Sequence, residues 1–134
     1  MDDIFVARLM SSSLHTVAPE TLVEEAAQVM LENDIGSVLI VDDDETLEGI
    51  LTTTDFVRIV AERRPKDKTP VSAYMTANVV TATAQESVPE VADRMLEHGV
   101  HHMPVVTDEN HAVGILTTTD LAAYVAGLEA TTQP

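Results

Sequence analysis

The chain has 134 residues, 45% of them hydrophobic but only 3% aromatic, so its interior must be built from Val, Ile, Leu, Met and Ala. It contains no Cys, which excludes disulfides, thiolate nucleophiles and Cys-based zinc sites together. Seven basic residues against 23 acidic ones leave a net charge of -16, with both halves negative, and such a surface repels the phosphate backbones of DNA and RNA.

Asp2 is placed to cap a short N-terminal helix carrying Ile4, Phe5, Val6, Leu9 and Met10, and Ser11-Ser12-Ser13 ends it. A short strand around residues 14–17 follows. From there Val23, Ala26, Ala27, Met30 and Leu31 keep helical spacing behind a Thr21-x-x-Glu24 capping box, which predicts a helix with one buried face. The apolar run 37–41 is too short for a helix, and with residues 47–51 it predicts two strands around an acidic turn at 42–46. Phe56, Ile59 and Val60 start a second helical face, and the charged, proline-bounded stretch 63–70 reads as a linker. The second half repeats the scheme. Val88, Val91, Ala92, Met95 and Leu96 follow a Ser87-x-x-Glu90 cap and precede a terminating Gly99. Strands at 102–106 and 112–116 flank a turn at 107–111, Leu121, Tyr124 and Val125 carry the last helical face, and 128–134 reads as a frayed tail. There is no apolar run of 18 residues, and Met1-Asp2-Asp3 lacks the basic start of a signal peptide, so no membrane association and a cytoplasmic location are expected.

The organising fact is a duplication. Gly49-Ile50-Leu51-Thr52-Thr53-Thr54-Asp55 recurs unchanged as Gly114-Ile115-Leu116-Thr117-Thr118-Thr119-Asp120, 65 residues later. Sliding residues 6–61 onto 71–126 without a gap gives 20 identities in 56 positions, among them Met10/Met75, Thr16/Thr81, Val23/Val88, Met30/Met95 and Val41/Val106. The expected fold class is mixed α+β, with two β-α-β-β-α repeats, residues 1–62 with the lead-in helix and residues 71–127. Units of this size bury too little surface alone, so one shared core is expected.

The repeated heptapeptide runs from a strand into a helix, with Thr52 or Thr117 at the N-cap and Asp55 or Asp120 three residues on as the reciprocal acid. A helix N-terminus offers free amides and partial positive charge to a phosphate, a threonine hydroxyl can add a donor, and a carboxylate can accept from both hydroxyls of a ribose. The same pattern is equally a plain capping box.

These features resemble a tandem pair of cystathionine β-synthase (CBS) domains. The resemblance rests on Met10 and Met75 ending each lead-in, the Thr16 and Thr81 strands, the strands Leu39-Ile40-Val41-Asp42 and Pro104-Val105-Val106, and the paired Gly-x-x-Thr-x-x-Asp turns. It implies repeats related by a pseudo-two-fold and packed sheet to sheet, a threonine on phosphate, an aspartate on ribose, and an adenine in an apolar slot between repeats. By position the slot is lined by Leu14, His15, Ile35 and Ile50 in the first copy and by Val79, Val80, Val100 and Ile115 in the second, residues that burial alone would also explain. His101 and His102 stand where related modules often place cations, whereas the first copy has Gly36 and Ser37, so the two sites are expected to be unequal. The implied function is a non-enzymatic sensor of AMP, ADP, ATP or S-adenosylmethionine that signals to a separate target protein, with Mg²⁺ a companion for ATP. The scarcity of cations favours the less anionic ligands. A homodimer through Phe56/Ile59/Val60 and Leu121/Tyr124/Val125 is expected, and a ligand-free dimerisation scaffold is the alternative.

His98, His101, His102 and His111 fall within 14 residues, but Gly99 ends the helix between the first two, so no metal site is expected. No catalytic constellation has the required spacing, and Asp42-Asp43-Asp44-Glu45 lacks the calcium-loop pattern. The diffuse acidity with two lysines resembles proteins of salt-loving archaea.

Overall fold

The computed structural model describes residues 4–127, so the expected Asp2 cap and the expected tail at 128–134 lie outside the described residues. The elements run α1 (Val6–Leu9), β1 (Thr16–Val17), α2 (Val23–Asn33), β2 (Ser37–Val41), β3 (Leu47–Thr52), α3 (Thr53–Ala61), a 3-10 turn (Val71–Ala73), α4 (Val88–His98), β4 (His102–Val106), β5 (Ala112–Thr117) and α5 (Thr118–Val125). The architecture is mixed α+β, and both repeats share the order helix, strand, strand, helix, which the strand β1 precedes in the first repeat alone.

In the first repeat β2 and β3 form an antiparallel ladder with Ser37 opposite Thr52, and β1 adds in parallel through Thr16 and Val17. In the second repeat β4 and β5 keep the same ladder, with His102 opposite Thr117, but the Thr81 strand contracts to a single parallel bridge at Ala82. Proline chemistry accounts for the difference. Leu39 donates its amide to the His15 carbonyl at 3.3 Å, whereas the equivalent residue is Pro104, which has no N–H to give.

Chain reversals follow the offset too. Asp34 and Gly99 both end their helices in the left-handed region, at φ 52° and 64°. Glu45 and Asn110 take positive φ in the two hairpins. The acidic run is a turn, in which the Asp42 carboxylate accepts from the amides of Asp44 and Thr46, each at 2.9 Å. The Thr21-Glu24 capping box does not form. Leu22 is the N-cap of α2 and the Thr21 hydroxyl instead accepts from the Ala18 amide at 3.2 Å. Ser87 does cap α4, accepting from Glu90 N at 3.4 Å.

Two cores form where one was expected. One holds Val23, Ala26, Met30, Val38, Ile40, Leu51 and Ile59 together with Val71, which belongs to the second lead-in. The other holds Val88, Val91, Met95, Met103, Val105 and Leu116 together with Val6 and Leu9 of α1. Each compact unit therefore combines the sheet of one repeat with the lead-in of the other: His15–Val79 is one, and the chain up to Leu14 with the chain from Val80 is the other. Backbone bonds repeat the exchange. Val6 donates to Glu86 O and Val71 to Thr21 O, Val88 to Ile4 O and Val23 to Thr69 O, and Ser11 pairs both ways with Ile115 as Thr76 does with Ile50.

Candidate functional site

Each repeated heptapeptide begins on the second strand of its antiparallel ladder, β3 or β5, and ends one turn into a helix. The glycine admits the incoming lead-in. A β-carbon on Gly49 would stand 2.6 Å from Met75 Sδ and 2.8 Å from Thr76 O, and one on Gly114 would stand 2.6 Å from Met10 Sδ. The leucine points into the core, since Leu51 and Leu116 are fully buried. The threonine and aspartate then close reciprocal capping boxes at α3 and α5.

These boxes use much of what a ligand would need. Asp55 Oδ2 accepts from Thr52 N at 2.8 Å and from its hydroxyl at 3.4 Å. Asp120 Oδ2 accepts from Thr117 N at 2.8 Å and from its hydroxyl at 3.0 Å, while Thr117 Oγ1 accepts from Asp120 N at 3.2 Å. The next amides are also engaged, with Thr53 donating to Gly36 O at 3.2 Å and Thr118 to His101 O at 3.0 Å. The amides one residue further on belong to exposed threonines, Thr54 and Thr119.

The two turns differ in their surroundings. Arg58, one helical turn beyond Asp55, places Nη1 3.3 Å from Asp55 Oδ1, and the Asp55 side chain is only 5% exposed. An i, i+3 acid-base pair was visible in the sequence but its target was not singled out. In the second copy the equivalent residue is Ala123 and Asp120 is half-buried. His102, half-buried opposite Thr117, titrates below the usual imidazole range because burial disfavours its charge and His101 repels it, with the Asp120 carboxylate opposing both. Its counterpart Ser37 is buried.

Thr117, Asp120, His101 and His102 thus lie together in one unit, with Ile115 two residues back on β5. Ile50 is buried on β3, and Ile35 packs against the first core. Val80 and Val100 pack against the second core, which gives both a structural role. Leu14, His15 and Val79 are half-buried near the unit boundaries. His98 ends α4 and His111 sits in the far hairpin, bonded by its amide to Thr107 Oγ1. Among the described residues no group of three His, Asp or Glu side chains could hold a metal ion. No described helix is long and apolar enough to cross a membrane.

Outward faces of the helices carry the remaining apolar groups. Val60 and Val125, at equivalent positions of α3 and α5, are 76% and 84% exposed, and Leu31 and Leu96 are similarly bare on α2 and α4. In the first unit a groove of about 490 Å³ runs between α2 and α3, lined by Val23, Leu31, Phe56, Ile59 and Val60.

Residues 6–62 and 71–127 each match the CBS domain family. The CBS domain pair of protein MJ0100, solved in complex with 5′-methylthioadenosine and S-adenosyl-L-methionine, is similar in structure with a TM-score of 0.87 at 30% identity, covering 94% of this chain and 98% of that one. An uncharacterized 17.7 kDa protein of Acidianus ambivalens is 32% identical over 117 residues, 87% of this chain and 70% of the relative. The inosine-5′-monophosphate dehydrogenase of Halobacterium salinarum is 36% identical over 102 residues, which are 76% of this chain but only 20% of that enzyme.

Proposed function

The chain belongs to the CBS domain family, and from that premise we propose that it is a regulatory binding module, not an enzyme, that takes an adenosine-containing ligand at its Thr-x-x-Asp turns and reports it to a separate target protein. The observation that carries this reading is the duplicated strand-to-helix turn, in a fold closely similar to a CBS pair complexed with two adenosine compounds. In the proposal Asp120 or Asp55 accepts from the ribose, Thr117 or Thr52 supports a phosphate or its replacement, and Ile115 or Ile50 of the same turn gives apolar contact to the base. With seven basic residues against 23 acidic ones, the chain favours neutral or cationic adenosines such as methylthioadenosine and S-adenosylmethionine over AMP, ADP or ATP, and ATP would need Mg²⁺ to offset its charge. The acidic surface is read as suited to concentrated salt and the location as cytoplasmic.

Calorimetry of these five compounds against the whole chain, in low and high salt, tests the reading. Heat saturating with at least one of them supports it, and no heat from any compound overturns it. Signalling further requires that the ligand distinguish two states of the protein.

A second reading is favoured by the exposed apolar residues at equivalent helix positions. Val60, Val125, Leu31 and Leu96 suit helix-on-helix association with a second copy, so the chain would serve as a homodimeric scaffold even without ligand.

A further inference from the structure

The two turns share seven residues yet differ in what closes over their carboxylates. Asp55 is 4% exposed and has both oxygens engaged, Oδ2 in the capping box and Oδ1 with Arg58. Arg58 is itself 60% exposed, so the pair contributes little energy, but it occupies the oxygen that the cap leaves over. Ser37, buried opposite Thr52, packs the same end of the ladder. In the second copy the helix carries Ala123 where the first carries Arg58, and His102 stands half-buried where the first has Ser37. Asp120 Oδ2 serves the cap, and among the described residues its Oδ1 accepts no hydrogen bond. A carboxylate that caps with one oxygen and keeps the other accessible can accept from a sugar hydroxyl without giving up its helix. One with both oxygens engaged must first lose a partner.

We infer that the turns are not equivalent seats: Asp120 is the carboxylate that receives the ribose, Asp55 is held as a structural carboxylate by its cap and Arg58, and the chain takes one adenosine ligand on its second turn. This rests on the functional reading above and specifies which copy carries it. The residue that sets the difference is the one at position 58 or 123, three residues beyond the aspartate.

Calorimetry with S-adenosylmethionine and 5′-methylthioadenosine as probes decides the matter. Wild type is expected to bind one ligand per chain. Asp120→Asn keeps a donor and acceptor at the helix start but loses the charge, and it is expected to weaken binding by about 10-fold or more. Because that substitution also touches the cap, Ala123→Arg provides a second arm. It leaves the capping box intact while installing the arginine of the first copy, and is expected to weaken binding several-fold with an unchanged circular dichroism spectrum. Arg58→Ala releases Asp55 Oδ1 in the first turn and is expected to leave the affinity of the Asp120 seat within about two-fold. Two equal ligands per chain, or wild-type affinity in both Asp120→Asn and Ala123→Arg, overturns the inequality while the adenosine reading stands. A wild-type chain that gives no heat with any adenosine compound overturns both.

Discussion

The thioether sulfur of Met75 lies 2.6 Å from where a β-carbon on residue 49 would stand, and Met10 repeats that approach on Gly114. The glycines that open the repeated heptapeptides are therefore there for the lead-ins that cross them. Gly49→Ala and Gly114→Ala are expected to destabilise the fold by about 1–3 kcal/mol each, read by denaturant unfolding. Rescue separates them. Met10→Ala should recover much of the loss at Gly114, whose next neighbour, Ser11 O, is 3.1 Å away, but Met75→Ala should recover less at Gly49, where Thr76 O remains at 2.8 Å.

Arg94 fastens α4 to the segment before it, donating from Nη1 to Glu86 Oε1 and to Thr81 O, each at 3.0 Å, while Nη2 binds Glu86 Oε2. Glu86 in turn accepts from Thr83 N at 2.9 Å. The arginine holds the Glu86 carboxyl below the usual carboxylate range. Arg94→Met should cost about 1–3 kcal/mol, measured as a lower denaturation midpoint. The contribution of Glu86 is present above the carboxylate range of the unfolded chain and is lost as pH falls through the depressed folded value, so the gap between variant and wild type should narrow in strong acid to what the Thr81 O bond contributes.

His102 has the opposite charge chemistry but the same pH sign. Its folded form resists protonation, through burial first and the His101 charge second, with Asp120 opposing. The unfolded chain consequently binds this proton first. Stability should be fully present above pH 6.5, the ordinary value, and decline as pH drops through it toward the depressed one. His102→Ser, which copies the first repeat, should flatten the melting temperature between about pH 7 and pH 5. An equally steep slope in the variant would remove His102 as its source.

Val60→Glu and Val125→Glu address the exposed helix faces. At 76% and 84% exposure neither valine holds its own unit together, so folding stability should change by no more than about 0.5 kcal/mol. Under the homodimer reading the double variant should sediment as a monomer at concentrations where wild type sediments as a dimer. Wild type that remains monomeric across the series ends that reading.

Much of this was legible in the sequence because the duplication says each thing twice. The strand pairs and reciprocal Thr-Asp caps follow from spacing, but the helix faces do so only in part: Val23, Ala26 and Met30 are buried as expected, whereas Leu31 and its counterpart Leu96, counted on the same faces, are exposed. The Thr21 cap was misread because the repeats were not held in register at that point. Thr21 aligns with Glu86, not Ser87, and both side chains accept from an amide three residues back, Ala18 or Thr83. The exchange of lead-ins was illegible for a different reason. Periodicity shows that Val6 is buried, not against which sheet, and the two repeats offer nearly the same apolar partners: Val23 or Val88, Met30 or Met95, Leu51 or Leu116. The inequality of the turns lay in Arg58 against Ala123, a surface difference that matters only once the carboxylate between helix and strand is seen to be closed or open.

The traded lead-ins also bear on how such a molecule comes to exist. A half-length ancestor, owning one sheet and one leader, would reach this same packing by swapping leaders with a twin. Fusion of two such genes would keep that barter inside a single polypeptide, and neither product of a cut through the linker would then be a finished protein until it met its complement.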